Sequence, residues 1–280
     1  MTNARATGDY FHADHQWAIG QTALFYDALG ILPFKDGFYS SSDKQIGGQT
    51  VGPEESPDRE ALMAVLSTAM VAPMDGINLL NKTRVMQTCR LDGTVLRPDR
   101  PLTPVDWCFL SAGGDDPMCF LYSSHSDVEG SGRHFYLYSD APRALEPAML
   151  ALGDNAKHIL LNWYNNGEMS LFVPNASLTP GPEGHVYGLV APVLPSGQWA
   201  FLGELNKFAS ASRLRFMSAV ESGQGSGSML SVKVMGSAGE TVRVCAANCA
   251  PGGWAMVCET ATFQQAGEQV FVLLATGEAC

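Results

Sequence analysis

The chain has 280 residues, of which 46% are hydrophobic and 16% charged, and its formal net charge at pH 7 is −11. This acidic excess repels phosphate backbones and anionic lipids, so we expect neither nucleic acid nor a membrane as a partner. No stretch approaches the roughly 18 apolar residues of a membrane span, and residues 1–5 lack the apolar core of a signal peptide. The expectation is a soluble chain, cytoplasmic rather than secreted.

The first hundred residues alternate between helical and extended patterns. Residues 17–29 carry apolar side chains at helical spacing and stop at Gly30, which suits the position just after a helix. A second helix is predicted from Ser56 and Pro57 to about Ser67, with serine as N-cap and proline in the first turn. The apolar run 69–72 ends at Pro73 and predicts a buried strand, and a third helix is predicted over 78–88. This alternation is typical of an α/β fold.

From Asp106 onward the pattern is that of an all-β domain. Short apolar or alternating segments are bounded by Gly, Pro and Asn, which is typical of strands joined by tight turns. Asn165-Asn166-Gly167 predicts a hairpin between segments 159–164 and 168–173. The Gly/Ser-rich stretch 222–228 is predicted to be a loop between strands. The strands are predicted at 107–111, 118–123, 134–138, 158–164, 169–173, 185–192, 213–220, 229–235, 240–246, 253–258 and 268–274.

The seven cysteines are an odd number without CxxC spacing, and we expect them to be mostly reduced and buried. Cys245, Cys249 and Cys258 are close enough to suggest a zinc site, but a fourth ligand at suitable spacing is missing. The segment 12–15, His-Ala-Asp-His, is a second metal alternative, although a histidine-rich loop before a helix more often contacts solvent or substrate. We therefore expect no metal and no cofactor.

The segment from Arg5 to Trp17 carries the most informative chemistry. Asp9 follows a short extended segment and precedes a helix, which is where α/β folds present reactive groups. With Arg5, Tyr10 and Trp17 nearby, Asp9 is predicted to lie in a pocket for a polar, flat-faced ligand such as a sugar. The alternative is that Asp9 caps a turn. Neither GxSxG nor GxxxxGK[ST] occurs, which disfavours serine hydrolases and nucleotide hydrolysis.

Five short motifs, in one order, resemble those of the raffinose synthases and related α-galactosidases. RATGDY at 5–10 is similar to the family's Arg-x-Ser-Asp-Asp-Phe, and LDGTVLR at 91–97 to its Leu-Pro-Asp-Gly-Ser-x-Leu-Arg. The other three similar segments are 29–40, 66–76 and 104–109. These families are retaining glycoside hydrolases and galactosyltransferases with a TIM barrel followed by a C-terminal β-sandwich.

The resemblance implies a fold of α/β plus all-β class. Residues 1–104 would be the last β/α units of an incomplete TIM barrel, and residues 105–280 an antiparallel β-sandwich. Asp9 would be the general acid/base. Arg5, Tyr10, Trp17 and Asp75 would lie near an α-galactoside substrate. For Asp75 a turn-capping role before Gly76 is the alternative.

The resemblance also predicts an inactive chain. A retaining mechanism needs two carboxylates about 5 Å apart, and the family's nucleophile lies on a strand well upstream of the acid/base. Only eight residues precede Asp9. Moreover, Gly8 replaces the first Asp of the family's pair, which leaves substrate preference open. Two alternatives remain: a noncatalytic carbohydrate-binding or interaction module, and assembly in trans with a missing N-terminal barrel half or by self-association.

Overall fold

The computed structural model describes residues 2–8, 19–43, 53–111, 121–153, 156–165 and 167–276. Short helices occur only in the first part of this described chain, apart from two single 3₁₀ turns at Pro147–Leu150 and Gly225–Gly227. None of the helices in these ranges is long and apolar enough to cross a membrane. The helices are α1 (Ile19–Ala28), α2 (Pro57–Leu66), α3 (Lys82–Met86) and α4 (Asp106–Ser111).

The strands form one parallel pair and three antiparallel sheets. A six-stranded sheet has the order β3-β4-β5-β8-β6-β7, and two three-stranded sheets have the orders β13-β12-β9 and β10-β11-β14. The parallel pair is β1 with β2. The strands are β1 (Asn3–Arg5), β2 (Leu32–Phe34), β3 (Arg100–Pro104), β4 (Leu121–Val128), β5 (Gly132–Ser139), β6 (His158–Asn162), β7 (Met169–Leu171), β8 (Val186–Pro192), β9 (Trp199–Gly203), β10 (Phe216–Ser222), β11 (Met229–Gly236), β12 (Thr241–Ala250), β13 (Gly253–Thr262) and β14 (Gly267–Leu274).

The six-stranded sheet is buried on both faces. Because side chains alternate along a strand, Tyr136 and Tyr138 of β5 lie on one face and Leu137 on the other. The tyrosine face packs against α2 and against Ala200 and Leu202 of β9. The opposite face contacts a smaller apolar cluster that includes Cys108 of α4. This explains why β6 and β8 are almost continuously apolar.

The sheet β13-β12-β9 lies between the other two sheets. Cys245 and Ala247 of β12 face the six-stranded sheet, whereas Val244 and Ala246 face β10-β11-β14. Phe201 of β9 is fully buried in this second core. Burying a large apolar side chain stabilises the fold by about 1.5–3 kcal/mol. Two separate cores therefore fix β9 and β12 from both faces.

The predicted fold class, α/β with the last units of an incomplete TIM barrel, is wrong. Strands account for 41% and helices for 14%, several sheets are antiparallel, and no barrel-like β/α repeat is present. Among the described residues, parallel pairing is confined to the three-residue strands β1 and β2 around α1 and to two isolated bridges, Phe38 with Pro73 and Glu129 with Ser218. The stretch predicted as the buried strand 69–72 is neither a strand nor fully buried, so no barrel wall is built there.

Several local predictions are confirmed. Gly30 adopts a φ of +69° after α1, and α2 starts with Pro57 in its first turn. Ser56 occupies the N-cap position as predicted, but its side chain makes no capping hydrogen bond. β6 and β7 pair as the predicted hairpin, with Ile159 opposite Leu171. The third helix is shorter than predicted, and the strand predicted at 107–111 is wrong because those residues lie in α4.

The cysteine prediction is wrong in the described residues. Cys245 and Cys258 face each other across β12 and β13 and form a disulfide, so they are not thiolate zinc ligands. Cys108 and Cys249 each form a disulfide as well. Cys89 is the free cysteine of the described chain. The pairing of two strands in register placed residues 245 and 258 together, and sequence spacing alone does not reveal register.

The predicted boundary after residue 104 stays a prediction. β3 already belongs to the six-stranded sheet, with Arg100 opposite His125. The carboxylate of Glu183, in the loop before β8, accepts hydrogen bonds from the backbone N–H groups of Asp58 (2.9 Å) and Arg59 (2.8 Å). A carboxylate there satisfies free N–H groups and complements the helix dipole, so it fixes α2 to the sheet.

Candidate functional site

Three of the predicted site residues, Asp9, Tyr10 and Trp17, lie outside the described residues, as does the metal alternative at 12–15. Arg5, at the end of β1, forms an ion pair with Asp36 at 3.2 Å. Both carboxylate oxygens of Asp75 accept hydrogen bonds from the Ser40 N–H, at 2.9 and 3.0 Å. Arg5 and Asp75 thus bind to opposite ends of the segment 36–40.

A buried ion pair lies beneath that segment. Lys35 follows β2, Glu60 lies in the first turn of α2, and both side chains are completely buried. Burial raises the pKa of Glu60 to about 7 and lowers the pKa of Lys35, while each residue's charge opposes the other's shift. The Lys35 ammonium also lies 5.1 Å from the centre of the Phe38 ring. Because both charges are directed at each other inside the protein, this pair holds α2 to β2.

Among the described residues, a cavity away from Arg5 and Asp75 is lined by aromatic and polar side chains, and we call it the Trp163 cavity. Its volume is about 380 Å³, within the range of about 300–1,000 Å³ that is typical of small-molecule sites. It lies between the end of α3, the end of β6, the loop after β9 and β12. Its lining residues are Gln87, Trp163, Tyr164, Leu205, Asn206, Arg243 and Cys245.

The aromatic wall of the Trp163 cavity is held rigidly. Trp163 stacks on Phe208, with ring centres 5.0 Å apart and an interplanar angle of 26°. Its indole N–H donates to the carbonyl of Lys207 at 3.3 Å, and its ring meets the Tyr164 ring edge-on at 5.1 Å. Both aromatic side chains are half-buried, so part of each ring faces the cavity.

Tyr164 is fixed from behind by His185 and Gly181. The Tyr164 hydroxyl is hydrogen-bonded to Nε2 of His185, which is completely buried. Burial, together with the nearby positive charge of Arg59, lowers the pKa of His185 to about 3, so its ring is neutral near neutral pH. A Cβ at Gly181 would lie 2.6 Å from Tyr164 ring atoms, which shows that only glycine permits this close approach.

The opposite wall is polar. The side chains of Gln87, Asn206 and Arg243 form no hydrogen bond or ion pair with any described residue. The position of Gln87 is nevertheless fixed, because its carbonyl accepts from the Phe208 N–H at 3.1 Å. Two amides and a guanidinium therefore face an aromatic pair across the cavity, with their hydrogen-bonding groups free for a ligand.

A buried charge cluster supports the loop that carries Leu205 and Asn206. The guanidinium of Arg215 donates to Glu204 at 3.0 Å and to Glu240 at 3.0 Å. The ammonium of Lys207 donates to the carbonyls of Met86 (2.6 Å) and Cys89 (2.8 Å), on either side of Gln87. Burial raises the pKa of Glu204, and the adjacent Arg215 and Lys207 oppose that shift. Two positive and two negative groups balance, so the cluster contributes no net charge to the cavity.

A larger cavity of about 560 Å³ lies on the other face of the six-stranded sheet and includes Trp107. Its two arginines are already neutralised, since Arg100 pairs with Asp27 at 2.9 Å and Arg133 with Asp127 at 2.9 Å. The described residues include no group of three or more His, Cys, Asp or Glu side chains that could hold a metal ion. The Trp163 cavity is therefore the better candidate for a binding site.

Sequence reasoning did not find the Trp163 cavity, because its residues come from four segments that are far apart in the chain. The one local signal was the pair Trp163-Tyr164, two large aromatic residues directly after the predicted hairpin strand. Comparison with known proteins adds no family: no protein-family description matches this chain, and no curated protein matches it significantly.

Proposed function

We propose that this protein is a noncatalytic carbohydrate-binding protein whose binding site is the Trp163 cavity. The observation that carries the proposal is the combination of Trp163 and Tyr164 with the unpaired polar groups of Gln87, Asn206 and Arg243. A sugar ring has an apolar face that packs on aromatic rings and a rim of hydroxyls that bond to amide and guanidinium groups. This arrangement offers both kinds of contact in one cleft, with Asn206 and Arg243 at its solvent-exposed edge.

The lining favours binding over hydrolysis. None of the described residues that line the Trp163 cavity is an aspartate or a glutamate. Glycoside hydrolysis generally requires a pair of carboxylates on either side of the scissile bond. The interpretation as a glycoside hydrolase or galactosyltransferase part, with Asp9 as acid/base, rests on the motif resemblance alone and stays a prediction.

Calorimetric titration with an α-galactoside such as raffinose tests the proposal. We expect saturable binding that Trp163→Ala weakens by about tenfold or more, because an aromatic face and its buried area are removed. Trp107→Ala, in the other cavity, is the matched control and should leave the affinity unchanged. A thermal melt of each variant confirms that it is folded.

Two results would argue against the proposal. One is the absence of binding to a panel of neutral and acidic mono- and oligosaccharides. The other is binding that Trp163→Phe and Trp163→Ala leave equally intact, since the ring would then not contact the sugar.

Self-association remains a separate prediction. Phe25 and Leu29, four residues apart, are exposed by 73% and 72%, and Ile77 is exposed by 94%, so large apolar side chains are open to contact with another chain. Sedimentation analysis over a range of protein concentrations tests it. A monomer at every concentration would contradict the prediction.

A further inference from the structure

Arg243 differs from every other arginine in the described chain. Eight of the described arginines form ion pairs with carboxylates, namely Arg5, Arg59, Arg84, Arg90, Arg100, Arg133, Arg213 and Arg215. Arg97 donates to the carbonyl of Thr68, and Arg143 also has a partner. Among the described arginines, Arg243 alone has a side chain that forms neither an ion pair nor a hydrogen bond.

The absence of a partner is notable because the protein is acidic. Its formal net charge is −11, with 28 Asp and Glu residues against 17 Lys and Arg residues, so carboxylates are abundant. Arg243 nevertheless lies on β12 opposite Thr260, a neutral residue. A cation left unpaired in such a protein is available to an external anion.

Arg243 is exposed to solvent and lies at the edge of the Trp163 cavity, as one of its lining residues. Residues 243, 245 and 247 of β12 share one face, and Cys245 also lines the cavity. The charges behind the cavity wall cancel, because Glu204 and Glu240 are balanced by Arg215 and Lys207. Arg243 is therefore the one charged side chain among the described residues that line this cavity.

We infer that the Trp163 cavity binds an acidic sugar, whose carboxylate or sulfate group is recognised by Arg243 while the ring packs on Trp163. A guanidinium presents two parallel N–H donors to such a group, which gives both charge and geometry. Gln87 and Asn206 remain for the hydroxyls. The inference rests on the proposed carbohydrate-binding function and adds the class of ligand.

Titration with matched sugars tests the inference. Galacturonic acid, galactose 6-sulfate and galactose share one ring and differ in charge, and the two acids distinguish a carboxylate ligand from a sulfate ligand. We expect at least one acid to bind about tenfold more tightly than galactose at low salt, with the preference reduced as salt is added. Arg243→Gln should abolish the preference for an acid over galactose, while galactose still binds through Trp163, Gln87 and Asn206.

The variants separate failure of this inference from failure of the proposed function. Arg213→Gln is the matched control, since Arg213 is 62% exposed, pairs with Asp99 and does not line the cavity. Equal affinity for galactose and both acids, weakened by Trp163→Ala, would overturn the acidic-sugar inference and keep the carbohydrate site. No binding of any sugar would overturn both. An acid preference that persists in Arg243→Gln would assign the recognition to another residue and overturn the inference.

Discussion

The buried cluster around Arg215 gives the sharpest stability prediction. Arg215 is completely buried and donates to Glu204 at 3.0 Å, to Glu240 at 3.0 Å and to the Met235 carbonyl at 2.8 Å. Arg215→Met would remove one positive charge from between two buried carboxylates. Breaking a buried ion pair in this way costs about 3–5 kcal/mol, because the remaining charge is uncompensated. We expect the free energy of unfolding to fall by that amount at neutral pH.

The same variant should show a characteristic pH dependence. Burial already raises the pKa of Glu204, and Arg215 is one of the groups that oppose this shift. Without Arg215 the pKa of Glu204 in the folded protein should rise further above its value in the unfolded chain. A group of this kind binds more protons in the folded state, so stability increases as pH falls. The difference in free energy of unfolding between Arg215→Met and the wild type should therefore become smaller at mildly acidic pH.

Urea denaturation followed by circular dichroism measures both effects. Arg213→Met is the matched control two residues away, because Arg213 is 62% exposed and its 2.6 Å ion pair with Asp99 lies at the surface. An exposed pair contributes at most about 1 kcal/mol. The reasoning is refuted if Arg215→Met costs no more than Arg213→Met, or if its cost is the same at neutral and mildly acidic pH.

Three further predictions concern α2, the aromatic wall and the resemblance to glycosidases. Glu183→Ala should lower the free energy of unfolding by about 0.5–2 kcal/mol, because the N-terminus of α2 loses its cap. Glu183→Gln keeps a hydrogen-bond acceptor and should cost less. Urea denaturation measures both, and equal costs would contradict a charge effect. Gly181→Ala should weaken sugar binding because its Cβ would displace the Tyr164 ring. Gly153→Ala, whose Cβ meets no atom within 4 Å and whose φ is not positive, is the control at a site that does not line the cavity. Unchanged affinity in Gly181→Ala would show that the ring position is unimportant. The isolated chain should not release product from a chromogenic aryl α-galactoside; turnover that disappears in Asp9→Asn would contradict this.

Predictions that depend on neighbouring residues were the successful ones. The start of α2 follows from Pro57, the end of α1 from Gly30, and the hairpin from the Asn-Gly sequence before residue 168. Each of these signals acts through the backbone conformations that one or two residues permit. Tertiary contacts reinforce them but are not needed to locate them.

Predictions that depend on distant contacts failed for an identifiable reason. Residues 107–111 are a short apolar run, and such a run fits a strand or a helix equally well until its packing is known. The α/β prediction extended one real crossover, β1-α1-β2, to a barrel that requires long-range parallel pairing. The disulfide between Cys245 and Cys258 follows from the register of β12 and β13, which is likewise set by the core.

The two walls of the Trp163 cavity are joined by one loop, and this connection affects how the cavity can bind a ligand. The loop 204–208 is bonded to both walls: the Trp163 indole donates to the Lys207 carbonyl, and the Phe208 N–H donates to Gln87. Lys207 also binds the carbonyls on either side of Gln87, so the aromatic and polar walls share one scaffold. Binding a ligand in a site whose walls are already ordered costs less conformational entropy than ordering mobile side chains. The walls come from segments that are distant in sequence, so their order arises from the assembled fold. The buried charge cluster around Arg215 and Lys207 therefore contributes to binding without touching a ligand, because it fixes the loop that joins the two walls.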